Sequence, residues 1–199
     1  MTLSSLSVGS IGTNCYILYQ EDTKDAVVID PGDDAALVEA RLRGLGLRVR
    51  AILLTHGHFD HGGDAARIRD TSGAPIYLDP ADLELPSWLT HGLSGTLPYP
   101  ENGVLELAGL RFTVLPTPGH TPGGVCLLCG GFLFSGDTLF AGSCGRTDLP
   151  GGSWRQLAES LRSLAELEGD YQVFPGHGDA TTLAEERRSN PYMQMALGK

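Results

Sequence analysis

Five of the six histidines in this 199-residue chain fall in three short, glycine-punctuated segments, each just after an apolar run. The densest is Thr55-His56-Gly57-His58-Phe59-Asp60-His61, an H-x-H-x-D-H pattern that arises by chance on the order of once in a few thousand such chains. In an extended loop His56 and His58 project to the same side with period two, while Asp60 and His61, at the turn into the next helix, face a second nearby point. The other segments are Pro116-Thr117-Pro118-Gly119-His120-Thr121-Pro122-Gly123 and Phe174-Pro175-Gly176-His177-Gly178. Proline fixes φ and glycine permits a tight reversal, so His120 and His177 each stand on a stiff corner at a strand's end. Between them, in Phe134-Ser135-Gly136-Asp137-Thr138, Asp137 adds a carboxylate immediately past an apolar strand.

Imidazole and carboxylate with no nearby thiolate set suit borderline divalent ions, zinc first, with iron or manganese as the other fits. Seven candidate ligands (His56, His58, Asp60, His61, His120, Asp137 and His177) exceed what one tetrahedral ion takes and match two ions sharing a carboxylate. In paired sites a water shared by the ions becomes hydroxide near neutral pH, and the ions polarise the carbonyl that it attacks. The remaining histidine, His91, reads as solvated or hydrogen-bonded. Cys126 and Cys129 form a C-x-x-C inside VCLLCGGFLF, with no second pair to complete a zinc site, so buried thiols are expected there.

The elements that must carry these residues are short β runs alternating with turns and a few helices. Asn14 to Gln20 and Ala26 to Asp30 predict a hairpin, followed by a helix capped by Asp33 and reaching Arg43, where Gly44 and Gly46 stop it. A buried strand over Ala51 to Thr55 is followed by a helix over 62–70 and a strand over 75–78. Residues 79–101, with Pro80, Pro86, Pro98 and Pro100, show little periodicity and read as a lid or linker; packing is expected for Trp88. Strands are expected over 104–107, 110–115, 125–129 and 132–135, then a helix capped by Ser153 whose stripe Trp154, Leu157, Leu161, Leu164 and Leu167 packs on a sheet. A strand over 171–174 and a helix over 182–188 complete the pattern.

Composition narrows the function classes. With 24 acidic against 14 basic residues, a net charge of −10, the chain lacks the sequence-wide basic footprint of nucleic-acid or anionic-membrane binders. No apolar run approaches the roughly 18 residues needed to span a bilayer, and the N-terminus has no basic segment before an apolar stretch, so cytoplasm is the default. Four cysteines in so long a chain do not make a disulfide framework. The length suits one domain over 1–199 that buries roughly 70% of its unfolded surface.

The segments NCYILYQ, VIDPG, THGHFDH, PTPGHTPGG, FSGDTLF, CGRTDLPGG, FPGHG and RRSNPY together resemble the metallo-β-lactamase superfamily, in its glyoxalase II-like branch, over nearly the whole chain. The resemblance implies an α/β (α+β) fold, a four-layer αββα sandwich of two mixed sheets with helices on the outer faces. It implies two divalent ions, one on His56, His58 and His120 and one on Asp60, His61 and His177, bridged by Asp137, with Asp30 supporting the ligands from behind. The implied activity is hydrolysis of a small-molecule thioester of the S-2-hydroxyacylglutathione type by a metal-bridging hydroxide that Asp60 helps orient. Secreted β-lactamases of this fold generally lack the bridging carboxylate, which sets Asp137 apart from them.

Two departures bear on substrate. Where glyoxalase II enzymes carry a CGKFYEG-like segment against glutathione, this chain has Cys144-Gly145-Arg146-Thr147-Asp148, so Arg146 pairs either with a substrate carboxylate or with a neighbouring acid such as Asp148. A separate C-terminal helical domain is not expected. The CGRTD segment also resembles that of persulfide dioxygenases, whose single iron would sit on His56, His120 and Asp137. Persulfide oxidation, or lactone hydrolysis, is therefore the alternative activity. The sequence is silent on oligomeric state.

Overall fold

Alternation along the strands decides which way each side chain faces. In β2 (Thr13–Tyr19), Cys15, Ile17 and Tyr19 join one apolar cluster while Tyr16 and Leu18 join another. The neighbouring β3 (Asp25–Ile29) and β4 (Arg48–Leu53) repeat the split, with Ala26, Val28 and Ile52 on the first side and Val27, Ile29, Ala51 and Leu53 on the second. Period two with both faces apolar means that this sheet is covered on both sides. It has five strands in the order β1 (Thr2–Val8), β2, β3, β4, β5 (Ile76–Tyr77), antiparallel as far as β3 and parallel from β3 to β5.

The computed structural model describes residues 1–198; Lys199, the last residue of the expected domain, lies outside the described residues. Helices α1 (Ala35–Leu45) and α3 (Ala65–Ser72) cover the first side, packing Ala35, Val38, Leu42, Ala65 and Ile68 on β1 to β5. Between β4 and α3 lies the four-residue α2 (Phe59–Gly62), so the helix expected over 62–70 is two pieces, the first beginning inside the H-x-H-x-D-H motif. After β5 come a 3-10 turn (Pro80–Glu84) and α4 (Ser87–Thr90).

A second sheet faces the other side of the first. It is built from β6 (Val104–Leu107), β7 (Leu110–Pro116), β8 (Val125–Cys129) and β9 (Phe132–Gly136). A small ribbon, β10 (Leu139–Phe140) with β11 (Ser143–Cys144), and the helix α5 (Trp154–Ala165) then precede β12 (Gln172–Pro175) and β13 (Thr181–Thr182), which complete that sheet in the order β13-β12-β9-β8-β7-β6. Phe112, Val114, Leu127 and Phe134 meet the first sheet, whereas Cys126, Leu133 and Val173 meet α5, α6 (Leu183–Ser189) and α7 (Pro191–Ala196). Three apolar layers therefore separate four structural layers, and the αββα sandwich is observed. All four cysteines are free; Cys126 and Cys129, three apart on a strand, are buried on opposite faces.

Several elements differ from expectation. Helix α1 is capped by Asp34, whose side chain accepts from Leu37 N–H, and runs through Gly44; the stop is Gly46, where φ is 67°. Leu157, Leu161 and Leu164 of α5 are buried as expected, but Trp154 is 39% exposed and meets Tyr192 edge-on. β1 and α7 were not anticipated: β1 is an edge strand with only Leu6 and Val8 buried, a weak alternation, and α7 starts at Pro191 with the Asn190 side chain accepting from Tyr192 and Met193 N–H. Among the described residues no helix is long and apolar enough to cross a membrane.

Candidate metal centre

The histidines and aspartates collect where strands end. In the first sheet, parallel β3 and β4 deliver Asp30 and the Thr55-His56 pair at their C-terminal ends. In the second, β7, β9 and β12 run in one direction and deliver His120, Asp137 and His177. Two backbone hydrogen bonds lock the sheet ends together, Val125 N–H to Thr55 O (2.8 Å) and Asn14 N–H to Gly176 O (2.7 Å). Gly176 is sterically required, because a Cβ there would overlap Asp137 Oδ1.

All seven candidate ligands converge. His56 Nε2 lies 3.1 Å and His120 Nε2 3.0 Å from His58 Nδ1. Tetrahedral zinc, with bonds of roughly 2.0–2.1 Å, would separate ligand nitrogens by about 3.3 Å, so this trio has metal-site dimensions. In a second trio, His177 Nε2 is 3.1 Å and His61 Nε2 3.5 Å from Asp60 Oδ2. Asp137 stands between the two, Oδ1 3.3 Å from His61 Nε2 and Oδ2 3.6 Å from His120 Nε2. Within each of the groups His56/His58/His120, His56/His61/Asp137 and Asp60/His61/His177, one ligand atom per residue lies within 4.8 Å of the others, close enough to share an ion. Three buried side-chain atoms among the described residues have no hydrogen-bond partner, and two of them, His61 Nε2 and Asp137 Oδ1, face each other here. Buried polar atoms without a partner cost about 1–3 kcal/mol each, so the donor set fits divalent ions.

Supporting contacts fix which imidazole nitrogen is free. Asp30, at a positive φ of 49° in its aspartate–proline–glycine turn, accepts from Thr55 N–H (2.8 Å) and Thr55 Oγ1–H (2.7 Å). Its Oδ2 also lies 3.0 Å from His61 Nδ1. Thr55 Oγ1, having donated to Asp30, accepts from His56 Nδ1 at 3.2 Å, and His120 Nδ1 donates to the Arg146 carbonyl at 2.7 Å. In His56, His61 and His120 Nδ1 is thus occupied, so Nε2 is the nitrogen turned toward the centre.

The electrostatics divide along the same lines. Burial, reinforced by His61 and His120, holds His56 well below the usual imidazole range; burial with His120 pushes His58 down to about 4. Neutral imidazoles are the ligating form. Burial works against charge on His61 as well, but the Asp137 and Asp30 carboxylates outweigh it and raise that pKa. The Asp60–His177 contact raises the His177 pKa and, against burial, lowers that of Asp60. Thr13 Oγ1, 47 positions away in sequence, donates to Asp60 Oδ2 at 3.1 Å.

A cavity of about 550 Å³ opens onto this centre. Ile11, Phe59, Leu89, Phe140 and Leu149 give it an apolar wall, with Trp88 at the mouth. Trp88 is 59% exposed, so the packing expected for it is corrected to a rim position. Arg146 also lines the cavity, but its guanidinium makes two 2.7 Å hydrogen bonds to Asp148, which pull that carboxyl down to about 2. His91 stays apart from the ligands and stacks on Phe59 at 4.3 Å. Sequence reasoning missed Thr13, Thr55 and the apolar rim residue Ile11; the placing of Thr55 directly before His56 is the one local signal among them.

Residues 8–177 match the family model of the metallo-beta-lactamase superfamily. Hydroxyacylglutathione hydrolase GloC of Haemophilus influenzae is 33% identical over 97% of this chain and 98% of its own. Among solved structures, the BLEG-1 B3 metallo-beta-lactamase is 36% identical with a TM-score of 0.87, covering 96% of this chain and 99% of that one. TTHA1623, solved in a di-iron-bound form, is 38% identical with a TM-score of 0.82 over 95% of this chain and 99% of its own. The chain belongs to the metallo-β-lactamase superfamily, and its fold and His/Asp clusters make it a metal-binding, metal-dependent hydrolase.

Proposed function

We propose that this chain is a two-metal hydrolase that cleaves a thioester of the S-2-hydroxyacylglutathione type, with His56, His58 and His120 holding one ion, Asp60, His61 and His177 the other, and Asp137 bridging. The observation that carries this reading is the pair of three-ligand clusters with one carboxylate between them. Two such ions, when bound, bring a water to hydroxide near neutral pH and polarise the carbonyl under attack. The chain's own residues supply the rest. Asp60, kept ionised and oriented by Thr13 and His177, accepts a hydrogen bond from the attacking water and fixes its direction. Asp30 and Thr55 hold His61 and His56 in the ligating tautomer.

A thioester suits this centre because its leaving thiol, with a pKa near 8.5, departs with little protonation, so hydrolysis there needs no separate general acid. The apolar wall excludes water from the substrate's flank, and Arg146 stands where a substrate carboxylate could replace Asp148 as its partner. The likeness to GloC supports the same substrate class. Zinc and iron both fit the donor set, and the likeness to a di-iron protein supports iron as a loading. A single iron on His56, His120 and Asp137 would leave His58, Asp60, His61 and His177 without work, which favours hydrolysis over persulfide oxidation.

The test is a substrate panel on the metal-loaded protein with oxygen uptake recorded: S-lactoylglutathione, glutathione persulfide, a simple lactone and a chromogenic β-lactam. Fastest turnover of the thioester without oxygen consumption is expected. Oxygen consumption with the persulfide and an inert thioester would replace this reading by the dioxygenase one.

A further inference from the structure

Asp82, in the 3-10 turn Pro80–Glu84, is fully buried and forms no ion pair among the described residues. Its carboxylate is nonetheless saturated with donors. Oδ2 accepts from Gly57 N–H and Thr121 Oγ1–H, both at 2.8 Å, and Oδ1 accepts from Gly123 N–H at 2.6 Å. These donors belong to two loops more than sixty positions apart, and their places in those loops matter. Gly57 sits between His56 and His58, and Thr121 directly follows His120. One carboxylate thus grips the immediate neighbour of every member of the first trio while touching none of the imidazoles.

The approach is close enough to constrain residue type. A Cβ at Gly57 would stand 2.8 Å from Asp82 Cβ, and one at Gly123 2.9 Å from Asp82 Cγ, so both loops pass the carboxylate as bare backbone. The second trio is anchored otherwise: His61 by Asp30, Asp60 by Thr13. No hydrogen bond from Asp82 reaches that set.

We propose that Asp82 is the positioning residue of the first metal site, clamping the His56–His58 loop to the His120 loop so that three imidazole nitrogens meet at ligand spacing. The proposal rests on reading the two trios as metal sites. It assigns to the irregular 79–101 segment a work beyond that of a lid or linker. It also makes a site-selective prediction, because a carboxylate that merely stabilised the fold would affect both trios alike.

The experiment uses single-site backgrounds of the full chain. His177→Ala leaves the first trio intact and His120→Ala the second, and zinc affinity in each is measured by competition with a chromogenic chelator. Asp82→Asn keeps the shape but turns an amide N–H₂ toward a donor. Residues that orient ligands from behind typically account for 10–100-fold in metal affinity, so Asp82→Asn should weaken zinc by roughly that factor in the His177→Ala background and by less than about threefold in the His120→Ala background. Thr121→Val, which removes one of the three hydrogen bonds at nearly constant volume, should shift affinity in the same direction by less, and carries the test if Asp82→Asn does not fold. Equal losses in both backgrounds, or none in the first, would overturn the proposal while leaving the two-site reading intact. If neither background binds zinc although each folds, the two-site reading itself fails and the proposal with it.

Discussion

His58 shows how burial prepares a candidate ligand. Its pKa is pushed down to about 4 by desolvation and by the neighbouring His120, so in the folded chain the imidazole stays neutral down to that pH. In the unfolded chain it takes a proton near 6.5. Between those values the unfolded state binds the extra proton, so stability is lost as pH falls from 6.5 to 4 and is complete above 6.5, a swing of about 3 kcal/mol from this group alone. Urea denaturation of the metal-free protein at pH 7 and pH 4 should show that swing for the natural chain beyond whatever a His58→Gln variant shows; equal losses would refute it. In the proposed activity Asp60 carries a different load, as ligand and as orienting base, and Asp60→Asn should lower kcat by roughly 10²–10⁴-fold with circular dichroism unchanged. These residues were legible because metal chemistry restricts both type and spacing. Thr13 and Asp82 were not, since the partner of the first lies 47 positions away, those of the second 25 to 41, and a lone threonine or aspartate carries no spacing.

At the level of elements, the site is a product of strand ends and the corners behind them. Five of the six strands of the second sheet, β6 to β9 and β12, and the Ser153-capped α5 were readable from alternation, glycine punctuation and a helical stripe. The 79–101 stretch was not, because it is held by scattered tertiary bonds in place of a ladder: Leu78 N–H to Leu97 O (3.0 Å), Leu97 N–H to Ile76 O (2.8 Å) and Tyr99 Oη–H to Leu54 O (2.8 Å). That anchoring presents Trp88 at the cavity rim, across an apolar wall that includes Ile11 from the β1–β2 turn. Both side chains are more than half exposed. A rim residue of this kind binds ground state and transition state alike, so Trp88→Ala should raise KM several-fold with kcat nearly unchanged. Because the indole is exposed, the melting temperature should hardly move, and steady-state kinetics with a thermal melt distinguish this from a packing role.

For the whole molecule, the inner apolar layer keeps the two sheet edges, and so the two halves of the centre, in register. His56, His58, Asp60 and His61 come from one sheet, His120, Asp137 and His177 from the other. Phe134, fully buried between Tyr16 (5.2 Å) and Phe174 (5.6 Å), is a keystone of that layer, and Phe134→Ala should cost about 3–5 kcal/mol by urea denaturation. Two sheets with helices on their outer faces were foreseeable from paired strands followed by strands interleaved with helices, and the four-layer sandwich from the family resemblance, whereas the edge strand β1 and terminal α7 carried too little apolar periodicity to be seen. The proposed activity depends most on two ions sharing one centre. Stepwise addition of zinc to the metal-free chain, with bound metal and S-lactoylglutathione turnover followed together, tests that most directly. Two zinc per chain, with activity rising in step with the second equivalent, is the predicted result; saturation at one zinc with full thioesterase activity would contradict it.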